Sequence, residues 1–130
     1  MTVSLLFPLA QKDAFLIPSG AGLHIFFLMT DPGKHDEVLL LNASTVYPDV
    51  VHDSSCYLGP AEHPFFQHQS YIIYARARRI LKQRLRSLVA SGEVIHRPPP
   101  LTAAGFAAVA AGTTSIQLAP EMKIFFDAYR

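Results

Sequence analysis

One cysteine, Cys56, stands in a chain of 130 residues, which excludes an internal disulfide framework and leaves the redox compartment open. Charge is scarce, at 16% of residues against 50% hydrophobic, so intrinsic disorder does not describe the whole. Long apolar runs are missing too: the longest, residues 103–111, has nine residues, well short of the ~18 that a membrane-spanning helix needs. The apolar run at residues 3–10 is interrupted by Ser4 and Pro8 and is preceded by no Lys or Arg, so it lacks the form of a secretory signal. There is no glycine-rich phosphate loop and no Gly-x-Ser-x-Gly elbow, which leaves nucleotide-hydrolase and serine-hydrolase chemistry without support. What remains is a single domain over residues 1–130, large enough for its own core, expected to be cytoplasmic with no membrane association.

Residues 1–63 hold seven acids and two bases, whereas residues 64–130 hold nine bases and three acids. Seven of the bases fall in one block: Arg76, Arg78, Arg79, Lys82, Arg84, Arg86 and Arg97. Such a block is a candidate phosphate-binding face, with Arg76, Arg78, Arg79 and Lys82 at its centre. The plainer reading is a solvated face, or one that pairs with the acidic half.

Apolar runs at residues 23–30 (LHIFFLMT) and 37–41 (EVLLL) flank Asp31-Pro32-Gly33, which predicts two adjacent strands reversed at a turn. Both runs are nearly continuous rather than alternating, so burial on both faces is expected, as in a small closed barrel. Residues 13–17, 55–58 and 69–74 are further expected strands. Beyond them, the spacing of Ile80, Leu81, Leu85, Leu88 and Val89 predicts a helix over 75–90, ended by Gly92. A stiff connector, His96-Arg97-Pro98-Pro99-Pro100, leads to a second helix capped by Thr102 and ended by Gly112. Pro120 opens a last helix, with Ile124, Phe125 and Phe126 as its anchors. The expected class is α+β: a small β-barrel over about residues 13–80, then C-terminal helices over 81–130. Its core is expected to include Ile25, Phe27, Val38, Leu40, Ile72 and Leu85.

The densest chemistry lies in residues 59–71, GPAEHPFFQHQSY, a connection between two expected strands. His63 is the candidate proton-transfer group there, with Glu62 or Ser70 to orient it. Equally, it can brace the loop while Phe65 and Phe66 plug the barrel end, and Pro64 favours the bracing role. Six histidines are present, at positions 24, 35, 52, 63, 68 and 96. None has helical or zinc-finger spacing to another, and one cysteine makes no thiolate cluster, so no metal and no other cofactor are expected. Cys56 reads as a small core residue rather than a nucleophile.

The segments HIFF at 24–27, TDP at 30–32, EVLLLN at 37–42, Cys56, EHPF at 62–65 and SYIIY at 70–74 together resemble a group of small bacterial proteins similar to the PemK/MazF-like toxins of toxin–antitoxin modules. The resemblance spans about residues 22–80. It implies an SH3-like barrel, a homodimer, an antitoxin partner, and a metal-independent endoribonuclease acting on RNA. The toxins' opening strand and arginine-bearing loop are absent, since residues 1–53 contain no arginine, so their catalytic residues do not transfer. Metal-free cleavage needs a base, an acid and a cation at the phosphorane. Here His63 and His24 are the proton-transfer candidates, Ser70 an accessory, and Arg76 or Arg78 the phosphate clamp. The competing readings are a non-catalytic nucleic-acid- or protein-binding barrel module, and an accessory protein whose aromatic loop and Phe125–Phe126 make a protein interface.

Overall fold

A computed structural model describes residues 7–130; residues 1–6, and with them the first half of the apolar run at residues 3–10, lie outside the described residues. Among the described residues six strands form one antiparallel sheet: β1 (Ala14–Ser19), β2 (Gly22–Leu28), β3 (Glu37–Thr45), β4 (Tyr57–Leu58), β5 (Ser70–Leu81) and β6 (Ile95–His96). Their order is β4-β5-β3-β2-β1-β6. Three helices accompany them: α1 (Lys82–Ser91), α2 (Ala103–Ala111) and α3 (Pro120–Tyr129). The sheet curls into a half-barrel rather than the closed barrel expected, because β4 and β6 are two-residue edge strands that do not pair with each other.

Burial on both faces explains the continuous apolar runs. Odd residues Ile25, Phe27, Leu39 and Leu41 join Val109, Phe125 and Phe126 in one core, beneath α2 and α3. Even residues Phe26, Leu28, Val38 and Leu40 join Leu85 of α1 and Val94 in a second core on the other face. All six residues expected in the core are at most 1% exposed. Truncating a residue such as Leu85 to Ala is worth about 2–5 kcal/mol in such a setting.

The helix expected over 75–90 is corrected. β5 runs on to Leu81, and only then does α1 begin. Residues 78–81 pair with Glu37, Val38, Leu39 and Leu40 of β3, and that ladder overrides the helical spacing. Leu40 pairs with Arg78 and Asn42 with Ile73, so Leu41 alone stands opposite residues 74–77, an irregular break in the register. The tail beyond residue 81 is not purely helical either, since β6 returns to pair with β1 at Phe15 and Leu16. Thr102 caps α2 as expected, its hydroxyl accepting from the Gly105 N–H at 3.0 Å. Phe125 and Phe126 anchor α3, whereas Ile124 is 70% exposed and anchors nothing.

Candidate functional site

The principal cleft, about 450 Å³, opens at the end of the sheet where β2 starts and β3 finishes. It is walled by residues 23–25, residues 43–45, Tyr47, residues 65–68 and Ser70. His24 and Ser70 therefore share a cleft, and His68 joins them. Their hydrogen bonds are local. A ring nitrogen of His24, Nε2, lies 3.0 Å from the Ser19 carbonyl, and the Ser70 hydroxyl donates to the His68 carbonyl at 3.2 Å. Among the described residues no Asp, Glu, Lys or Arg lines this cleft, so no cation there faces a phosphate.

His63 stands apart from it. The residue is 1% exposed, and its ring packs edge-on against Phe27 and Phe66, at 5.8 and 6.3 Å between centroids. Nδ1 accepts from the Phe65 N–H at 3.0 Å. That bond fixes the proton on Nε2, which donates to the Pro99 carbonyl at 2.8 Å, with the Arg97 carbonyl at 3.2 Å. Burial holds its pKa below the ordinary histidine value, against the pull of the two backbone acceptors. Both nitrogens are engaged, so this imidazole joins the 59–68 loop to the 97–99 connector. The groups expected to orient it are occupied elsewhere: the Glu62 carboxylate accepts from the Gly59 N–H at 2.6 Å, and Ser70 bonds the backbone of His68. Phe66 is buried and Phe65 half-buried beside it.

The basic block is spread over β5 and α1. Arg76, Arg78 and Arg84 are exposed, and the Arg78 guanidinium lies 4.7 Å from the centre of the Phe26 ring. Arg79 is ion-paired with Glu37 and stacks on Phe125 at 4.1 Å. Lys82 donates to the Pro32 carbonyl at 2.8 Å, and Arg86 to the Phe7 carbonyl at 2.9 Å. These two bonds leave each charge unneutralised. Arg78 and Arg79 border a second hollow with Ile17, Pro18, Leu88 and Glu93, on the sheet face that carries α1. The structure thus brings His24 together with Ser70, turns the Arg78 and Arg79 guanidiniums to different aromatic rings, Phe26 and Phe125, and leaves His63 and the arginines outside the lining of the cleft.

Sequence reasoning overlooked Ser44, Thr45, Tyr47 and Gln67 as cleft residues. The one signal available was the shift from EVLLL to NAST, which marks a strand turning polar towards its end. Cys56 is buried, and burial pushes its thiol up to about 11, far from a reactive thiolate at neutral pH. Among the described residues no three His, Cys, Asp or Glu side chains converge to hold a metal ion, and no helix is long and apolar enough to cross a membrane. No protein-family model matches the chain, and no curated protein matches it.

Proposed function

We propose that this chain is a non-catalytic nucleic-acid-binding module of SH3-like barrel type, which meets its ligand through the basic surface of β5 and α1. The observation that carries the reading is the separation of charge from acid–base chemistry. Arg76, Arg78 and Arg84 are exposed along one continuous strand-to-helix segment, while the buried His63 has both ring nitrogens engaged. Exposed guanidiniums attract a polyanion and release its counterions on contact, which needs no catalytic group. The resemblance to PemK/MazF-like proteins makes single-stranded RNA the first nucleic acid to test, and an antitoxin-like protein and a second copy of the chain the first protein partners.

One observation favours a second reading, endoribonuclease activity: His24 and Ser70 line the same cleft, with His68 beside them. It lacks a cation among the described lining residues. A single experiment separates the two. End-labelled RNA is incubated with the protein, and retention and integrity are read from the same sample. Retained, uncut RNA supports the binding module. Metal-independent cleavage that His24→Gln abolishes supports the nuclease and overturns the primary reading.

A further inference from the structure

The β2–β3 ladder stops early. It pairs Leu28 with Leu40, Phe27 with Leu41 and Phe26 with Asn42, and no further. Continued in the same register, it would join Ile25 to Ala43, His24 to Ser44 and Leu23 to Thr45. Those six residues line the principal cleft instead. They are not frayed strand ends. On its outer side β2 pairs with β1 as far as Gly22 and Ser19, and β3 pairs with β5 as far as Thr45 and Ser70. Two regular strands thus diverge, each presenting an inner edge with no backbone partner across the gap among the described residues.

We propose that this opening is a strand-insertion site that takes an extended, uncharged peptide segment between β2 and β3. An unpaired strand edge is a template for another chain, because its N–H and C=O groups are spaced to continue a ladder. Here two such edges face one cavity, so one inserted segment meets hydrogen-bonding groups on both sides. Each edge spans three residues, roughly 10 Å of strand, and alternate residues, Leu23 and Ile25 on one side and Ala43 and Thr45 on the other, turn their backbone groups to the gap, which suits an insert of about three or four residues. The side chains select against charge: among the described residues the lining has no carboxylate, lysine or arginine, and its polar groups are hydroxyls, Gln67 and two histidines. Phe66 is buried at the back. Leu23 and Tyr47, also in the wall, are 48% and 57% exposed and give the insert's apolar side chains surfaces to cover. This site is separate from the basic surface of β5 and α1, and its proposal stands independently of nucleic-acid binding.

The test titrates the uniformly ¹⁵N-labelled full chain with three capped peptides and follows backbone amide shifts. The first is acetyl-Thr-Val-Thr-Val-amide; the second carries the same side chains with N-methylated inner amides; the third is acetyl-Glu-Val-Glu-Val-amide. The expected result is saturable shifts centred on residues 23–25 and 43–45 with the first peptide. Affinity should fall at least about tenfold on N-methylation, which removes ladder donors and leaves side chains unchanged. It should fall also for the charged peptide. Shifts absent up to the solubility limit, or centred elsewhere, overturn the proposal. Equal binding of the N-methylated peptide overturns it as well. So does binding of uridine or adenosine at these amides when the peptide leaves them unmoved, since the cleft would then take a base.

Discussion

Replacing His63 tests the structural account at its most connected side chain. Nδ1 takes one backbone N–H, from Phe65, while Nε2–H serves the Pro99 carbonyl 36 residues away. Gln can donate and accept but cannot reproduce both bonds from one rigid ring. His63→Gln should lose about one net hydrogen bond and part of the packing on Phe27 and Phe66, about 1–3 kcal/mol in all. His63→Ala removes both bonds and the ring, and should lose about 3–5 kcal/mol. The pH dependence has a definite sign. Because burial lowers the folded pKa, the unfolded chain takes up a proton that the folded chain resists as pH falls below about 6.5. The stability from this group is therefore complete above about 6.5 and lost as pH falls towards the folded pKa, at up to about 1.4 kcal/mol per pH unit. Urea unfolding followed by far-UV circular dichroism, between about pH 7.5 and 5.5, measures both effects. The wild type should weaken towards acid more steeply than His63→Gln. Two results would refute the reasoning: a variant as stable as wild type at pH 7.5, or parallel pH slopes.

Three other substitutions or modifications probe separate parts of the fold. A Cβ added at Gly112 would collide with the Tyr74 hydroxyl, which donates to the Val109 carbonyl at 2.7 Å; Gly112→Ala should cost about 3 kcal/mol in thermal or urea unfolding, through overpacking and the lost bond. Asn42 is fully buried, with neither side-chain polar atom hydrogen-bonded among the described residues, so the similarly sized Asn42→Leu should raise stability by about 1 kcal/mol or more, read as a higher urea midpoint. Cys56, buried and with its thiol pushed up to about 11, should resist iodoacetamide at pH 8 in the folded protein and alkylate readily in urea, as intact mass will report.

Local rules carried far in this chain where local physics decides the outcome. The Asp31-Pro32-Gly33 reversal, the Thr102 cap and the apolar positions of β2 and β3 each follow from residues close in sequence, and each is present in the fold. The β5–α1 boundary did not follow, because the spacing of Ile80, Leu81 and Leu85 fits a helix and only pairing with β3 makes residues 78–81 a strand. The openness of the sheet is not legible in the sequence for a similar reason, since a continuous apolar strand looks the same under helices as inside a barrel. His63 was legible as a choice between chemistry and bracing. Its partners, the carbonyls of Arg97 and Pro99, lie too far along the chain for any motif to reveal. The cleft itself depends on backbone pairs that β2 and β3 fail to make, and no side chain announces a missing ladder.

Nucleic-acid binding by the exposed guanidiniums of β5 and α1, without chemistry, is the proposed function. Fluorescence anisotropy of a labelled single-stranded RNA, titrated at about 50 and about 200 mM salt, tests it most directly. Each phosphate contact on a single strand contributes roughly −0.7 to the slope of log affinity against log salt. With Arg76, Arg78 and Arg84 each meeting one phosphate, affinity should fall roughly 20-fold over that range. The triple variant Arg76→Ala, Arg78→Ala, Arg84→Ala should bind weakly and with little salt dependence. No RNA binding at low salt, or a triple variant with the wild-type affinity and slope, would contradict the account.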